Sequence, residues 1–255
     1  MPKKKTGHIQ SSESQSYTGT QELRDSEVGL AGYSTEIVRK FFSKMNLENR
    51  IILEKGSILE FGAGTGFLAD ILKSRFHIEP ECIELDPDLV SIIKSKKFKC
   101  FQFLEETPQK YSAIYTSNVL EHIEDDSAVL KELFDSLIGG GVIGIYVPAH
   151  PFLYSTMDKE IGHVRRYTRS ELRNKVEAAG FTIQSLTYDE FIGFFASIFV
   201  KIVGYKNGAN LGSKNSLIFY DKVIYPISKV LDFLGFRFIV GKNLLLIAPK
   251  LEKLK

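Results

Sequence analysis

The chain has 255 residues, 44% of them hydrophobic, which is enough for one large α/β core with an appended cap. A net charge of +2 argues against a nucleic-acid binder, whose basic excess is usually larger. Cys82 and Cys100 lack metal-type spacing and read as reduced core residues of a cytoplasmic protein, and the N-terminus lacks a signal-peptide core.

Residues 1–20 hold Lys3, Lys4 and Lys5, then a run of Ser, Gln, Thr and Gly that cannot bury a core; they are expected to be a disordered tail. The lysine run is either simply solvated or a contact for anionic lipid or RNA. An amphipathic helix is predicted over 34–46. Strands and helices then alternate: strand 57–61, helix 66–76, strand 81–86, helix 87–97 opening on Pro87, and a short strand in "FKCFQFL". Strand 111–118, helix 125–137, a turn at Gly139–Gly141 and strand 142–148 follow. Thr168 and Glu171 form a capping box for a helix that Gly180 stops. Strands 182–189 and 243–249 complete seven. This alternation predicts an α/β, doubly wound, mostly parallel seven-stranded sheet.

Between the last two strands, residues 190–236 carry ten phenylalanines and tyrosines among many aliphatics. A hairpin loop there would need only a few residues, so an inserted apolar helical cap is expected. "FIGFFASIFVKIVGY" (191–205) is too short to span a bilayer and is interrupted by Lys201. The cap either completes the core, closes over a lipophilic acceptor, or rests on a membrane. The polar stretch 205–216 reads as a mobile loop within it.

"ILEFGAGTGFLADIL" (58–72) places Gly62, Gly64 and Gly66 between a strand and a helix. The third glycine of a dinucleotide fingerprint is replaced by Phe67, and the phosphate loop is absent. Glu60, just before the turn, would repel a pyrophosphate but suits a cofactor with an ammonium group. S-adenosylmethionine meets these demands: an amine, a sulfonium and no phosphate. About twenty residues on, "CIELDPD" offers an acid for ribose hydroxyls. Glu84 is the first choice, because Asp86 precedes Pro87 and is also placed to cap the next helix.

The series "LEFGAGTG", "IELDPD", "SNVLEHIEDD" and "LIGGGVIGIYVPAHPFLYSTMDKEIGHVRRYTRSELRNKVEAAGF" resembles the Rossmann-type (class I) S-adenosylmethionine-dependent methyltransferases. The likeness is to a bacterial small-molecule-type group of mostly unassigned substrate, and it runs from Tyr33 to Lys250. It implies a methyltransferase domain over 21–189 plus 237–255 with the cap at 190–236. It also implies cofactor contacts from Tyr33, Glu60, Gly62, Ala63, Gly64, Gly66, Glu84, Leu85 and Asn118. Where many relatives carry an Asp for the adenine amine, this chain reads "FQFLEE", leaving Gln102 as the substitute.

Ligands of a doubly wound sheet bind at the carboxyl ends of its strands. That brings Asn118, Glu121 and His122 beside the transferable methyl, with His150 and Tyr154 from the fifth strand's end. His163, Arg165, Arg166 and Tyr167 join them from "GHVRRY". His122 is the first candidate for a general base and His163 the second. Either could instead only hold its own loop. His150, Tyr154, Arg165, Arg166 and Tyr167 are the candidate acceptor ligands. The two arginines could equally pair with Asp158, Glu160 or Glu171. Asn118 stands in place of the first acid of the E-x-x-E-H set by which some quinone-precursor O-methyltransferases bind a metal, so no metal is predicted.

The expected activity is O-methylation of a small or lipid- or sugar-linked acceptor, in the cytoplasm or at the inner membrane surface, with nucleic acid an unlikely partner. RNA methylation is the rival within enzymes, although "SNVLEH" lacks the Asn-Leu-Pro-aromatic motif of the ribosomal RNA adenine dimethylases that "IELDP" resembles. A non-catalytic cofactor-binding module docking through its apolar insert is the rival outside them.

Overall fold

The structure is a computed structural model that describes residues 27–49, 57–107, 110–203 and 214–252. The expected tail with its lysine run, and most of the polar loop at 205–216, lie outside those residues.

The elements run α1 (Ala31–Lys44), β1 (Ser57–Phe61), α2 (Phe67–Phe76), β2 (Glu81–Ile83), α3 (Pro87–Ser95), β3 (Cys100–Phe101), β4 (Tyr111–Ser117) and α4 (Asp126–Ser136). Then follow β5 (Leu137–Pro148), the short α5 (Thr156–Glu160), α6 (Arg169–Ala178) and β6 (Ser185–Asp189). The cap helices are α7 (Phe191–Val203), α8 (Lys214–Phe219) and α9 (Tyr225–Phe233), and β7 (Asn243–Pro249) ends the fold.

The seven strands form one sheet in the order β3-β2-β1-β4-β5-β7-β6. Only β7 runs antiparallel, against both β5 and β6. The reading as a mostly parallel sheet is therefore borne out. Its central strands are buried on both faces, as β/α crossovers require. One face packs Leu59, Ile114, Ile143 and Leu246 with Leu130, Leu133 and Leu172 of α4 and α6. The other packs Ile58, Ala113, Tyr146 and Leu245 with Ile37, Phe41 and Met45 of α1 and its C-terminus. That contact needs Gly144: a Cβ there would lie 2.5 Å from Met45 Sδ and 2.7 Å from the Phe41 ring.

Several boundaries differ from expectation. The glycine run 139–141 is not a turn before a strand but lies inside β5. Tyr111 pairs with Leu137 and Ala113 with Val142, so the extra residues bulge, with Gly140 at φ +78°. β2 stops at Ile83 because Glu84 and Asp86 turn back onto backbone N–H groups. β3 keeps only two residues, since Glu106 pulls the next segment into a short helical turn by accepting from Gln102 N. Cys82 and Cys100 sit opposite each other on β2 and β3, buried and unlinked.

The cap is tied to the sheet by polar groups. Glu190, fully buried, accepts from the Tyr220 hydroxyl at 2.9 Å and from Asn243 Nδ2 at 2.6 Å. Asp189 accepts from the Tyr146 hydroxyl at 2.8 Å and pairs with Lys40. Asp232 of α9 receives the N–H groups of Glu190 and Phe191, and Asp221 those of Gly32 and Tyr33. Among the described residues, no helix is long and apolar enough to cross a membrane.

Candidate active site

The chain leaves β1 through three residues of positive φ: Gly62 at +74°, Gly64 at +56° and Gly66 at +75°. Only glycine takes such a sequence without steric cost. The N–H groups of Gly62 and Ala63 both donate to Ile83 O at 2.9 Å, which fixes the loop against β2. Gly64 N donates to Glu84 Oε2 at 2.7 Å. The acid at the tip of β2 therefore lies against the loop, and burial raises its pKa. Asp86 instead caps α3, accepting from Asp88 N at 2.8 Å and Leu89 N at 3.3 Å. The two acids of "IELDPD" thus divide the roles.

Glu60 is 3% exposed and lies beneath the loop. It accepts from the Tyr115 hydroxyl at 2.9 Å, across the β1–β4 pair. Burial pushes its pKa up to about 8, against the Tyr115 and Ala69 hydrogen bonds that lower it. Leu85 stands exposed above the loop, and Gln102 Nε2 donates to its carbonyl at 3.2 Å, joining the β2 and β3 ends. Tyr33 packs edge-on against Tyr225 of the cap, its hydroxyl 3.3 Å from that of Tyr146.

At the end of β4, Asn118 adopts φ +54° while its N–H donates to Tyr146 O at 2.8 Å. Asn tolerates this conformation better than most residues. The turn carries the next residues over the carboxyl edge. His122 follows, its Nδ1 3.1 Å from Gly162 O. The protein packed round the ring, then His163, lower its pKa to about 4. His163 comes from the second loop; its ring meets His122 edge-on at 4.7 Å, and its Nδ1 lies 2.9 Å from Asp158 Oδ1. The two candidate bases are thus brought together. Each also makes the loop-holding bond of its structural reading.

Both arginines engage acids or carbonyls of the fold. Arg166 is buried and forks onto both oxygens of Asp158. Arg165 donates to Glu124 O at 2.7 Å and pairs with Asp126 at 3.2 Å. Tyr167 is fully buried, its hydroxyl donating to Asp126 Oδ2 at 2.7 Å and close to Leu120 O. These three residues brace the loop through Asp126 and Asp158, and the Arg166–Asp158 pair is one of the two alternatives that the sequence left open. Tyr154 donates to His163 O at 2.6 Å. His150, at φ +65°, stacks on Tyr188 at 4.9 Å and meets Phe152 and Phe194, so it lines the junction with the cap.

Sequence reasoning named Asp158 and Glu121 but did not give their surroundings. Asp158 is the hub of the second loop, and its pKa is held well below the usual range by His163 and Arg166. Glu121 is fully buried, with neither carboxylate oxygen hydrogen-bonded among the described residues, and burial raises its pKa to about 8. The two neighbouring arginines pointed to the first; nothing in the local sequence showed that the second would be buried.

The polar groups turned to the glycine loop are carboxylates, and the loop's N–H groups are partly spent on β2 and Glu84. Such a lining suits a cation without phosphoryl groups. A sheet of this order with that loop at its centre defines a class I S-adenosylmethionine-dependent methyltransferase. The chain belongs to the methyltransferase domain family, which it matches over residues 34–186, more than half its length. No protein of curated function matches it. Among solved structures, it resembles a chain of the Haloferax volcanii complex between the Trm112 methyltransferase activator and a methyltransferase. The TM-score is 0.61 at 11% identity, covering 94% of this chain and 99% of that one. A candidate histamine N-methyltransferase from Thermotoga maritima gives 0.58 at 15% identity, with 91% and 96% covered. A candidate sarcosine dimethylglycine methyltransferase from Galdieria sulphuraria gives 0.57 at 16%, with 86% and 85% covered. At these identities the likeness is one of fold.

Proposed function

We propose that this methyltransferase acts on an oxygen of a small or lipid- or sugar-linked acceptor. The cofactor supplies an activated methyl group on a sulfonium. The protein's part is to align the acceptor and accept its proton. Glu84 meets the ribose hydroxyls, Gly62–Gly66 with Ala63 form the cradle, and Leu85 and Gln102 flank the adenine. Asn118 and Tyr33 border the methionine end, and Glu60 supports the loop from below. Held there, the cofactor would supply its methyl group to the acceptor oxygen and leave as a neutral thioether. The acceptor's proton passes to an imidazole at the edge, His122 first and His163 second, while His150 and Tyr154 border the acceptor.

The observation that carries the reading is Glu84 on Gly64 N at 2.7 Å, an acid held where ribose hydroxyls would replace the backbone donor. Titration calorimetry tests it. Wild-type protein should bind S-adenosylmethionine and its demethylated product, and Glu84→Ala should weaken both at least about tenfold, the effect of one charge-assisted hydrogen bond. Unchanged affinity in Glu84→Ala, or preferential uptake of nicotinamide dinucleotide, would refute it.

The cap supports a second element, contact with an anionic membrane surface. Phe195, Phe199 and Ile202 of α7 are 51%, 57% and 79% exposed at helical spacing. Val223, Ile227, Val230 and Leu234 form a like stripe along α9 and the turn before it. Exposed stripes of this kind mark an interaction face. The acids of 191–242, Asp221 and Asp232, are spent on backbone N–H groups, whereas Lys222 remains exposed.

A further inference from the structure

Glu121 is an unusual residue to bury. A carboxylate with no hydrogen-bond partner costs several kcal/mol to take out of water. Yet Glu121 is 0% exposed and both its oxygens are unbonded among the described residues. Its backbone is fixed, since Val164 N donates to Glu121 O at 2.8 Å, so the side chain has not merely drifted inward. His163 Nε2 lies 3.7 Å from its Oε1, and the charge of Arg166 also reaches it.

Both neighbouring imidazoles are oriented by their other nitrogen. His163 Nδ1 is held by Asp158, and His122 Nδ1 by the Gly162 carbonyl, which leaves Nε2 of each ring open. A carboxylate or carbonyl fixing one nitrogen while the other binds is how metal-ligating histidines are positioned. One ligand atom from each of Glu121, His122 and His163 lies within 4.8 Å of the others. Ligands of a tetrahedral ion at about 2.1 Å are about 3.4 Å apart, so the Glu121–His163 spacing is close and the widest must contract by up to about 1.4 Å. The charge also fits. Arg166 is engaged on Asp158, so with neutral imidazoles the net charge is −1, that of Glu121.

We propose that Glu121, His122 and His163 bind a divalent cation of borderline softness, zinc being the ion that two imidazoles and one carboxylate favour. The proposal departs from the expectation of no metal, which weighed only the neighbours of Glu121 and His122 in sequence; the third ligand, His163, comes from a loop about forty residues further on. The fourth position is left to water or an acceptor oxygen. A hydroxyl bound there would lose its proton to bulk water more readily, and the imidazoles would serve as ligands rather than bases. That consequence rests on the methyl-transfer reading; ion binding does not.

The test uses chelator-treated full-length protein titrated with zinc chloride by calorimetry, and with cobalt(II) followed by visible absorption. One equivalent should bind per chain, and cobalt should give the intense bands of a tetrahedral site. Glu121→Gln and His163→Asn should each weaken zinc at least tenfold while retaining the wild-type circular dichroism and cofactor affinity. His77→Asn, at the end of α2, should leave it unchanged. No saturable zinc uptake, or equal uptake by Glu121→Gln and His163→Asn, overturns the proposal. Zinc bound as described by a protein that transfers no methyl group would refute the methyl-transfer reading and leave this one standing.

Discussion

Gly62 joins backbone conformation to packing at a single residue. Its φ of +74° excludes most L-residues, and a Cβ there would stand 2.4 Å from Val119 Cγ2. The first effect alone costs about 1–2 kcal/mol, and overpacking adds a similar amount. Gly62→Ala should therefore lower the thermal midpoint by about 5 °C or more, given about 2–4 °C per kcal/mol for a chain of this size. Adding Val119→Ala should recover the steric part and leave the conformational part. An unchanged melting temperature in Gly62→Ala would show that the loop does not need this geometry. The need for glycine at this position was legible in the sequence; its partner Val119 was not, because the chain returns there only after β4. The same distance hid Glu121's relation to His163. Local spacing marks a residue type, but tertiary contact decides what the side chain meets.

At the scale of elements, the sheet was readable because its central strands are apolar on both faces and α3, α4 and α6 carry side-chain caps. Thr168 accepting from Glu171 N at 3.1 Å is one such cap that sequence foretold. The bulge in β5 was not readable, since three glycines look alike in a turn and in a strand that must accommodate Lys250 opposite. The cap's apolar character was plain, but not which of its residues would stay outside. Its inward groups are largely polar, Glu190, Tyr220, Asp232 and Ser228, and its outward stripes are apolar, the reverse of a surface helix pair in water. That inversion argues for a nonpolar partner over α7 and α9. Sedimentation with vesicles should recover the protein with phosphatidylglycerol-containing membranes more than with pure phosphatidylcholine. Phe199→Asp with Leu234→Asp should abolish recovery without lowering the melting temperature. Protein left in the supernatant with both vesicle types, or a stable dimer through this face in solution, would exclude the membrane as its occupant.

For the whole molecule, the burial of so many carboxylates sets an unusual dependence on pH. Glu60 has its pKa raised to about 8, Asp232 to about 6, and Glu84 and Glu190 are raised as well, burial being the main cause for each. An acid whose pKa is higher folded than unfolded binds more protons in the native state. Stability then falls as pH rises from the unfolded value towards the folded one. For Glu60 that window runs from 4.5 to about 8. Glu36, paired with Arg39 and Lys229, is lowered instead, and its contribution is lost as pH falls below the usual carboxylate range. The cofactor-free protein should therefore be most stable on the acid side of neutrality, with a melting temperature that declines from about pH 5.5 to pH 8.5. A cationic cofactor placed near Glu60 and Glu84 favours their charged forms, so its binding should release protons and tighten as pH rises through the same window. Calorimetry in buffers of different ionisation enthalpy would measure that release near pH 7, and Glu60→Gln should reduce it and flatten the melting curve against pH. A melting temperature that climbs from pH 5.5 to 8.5, with no proton released on binding, would mean that these carboxylates are already charged in the native fold and that cofactor binding is not coupled to their ionisation.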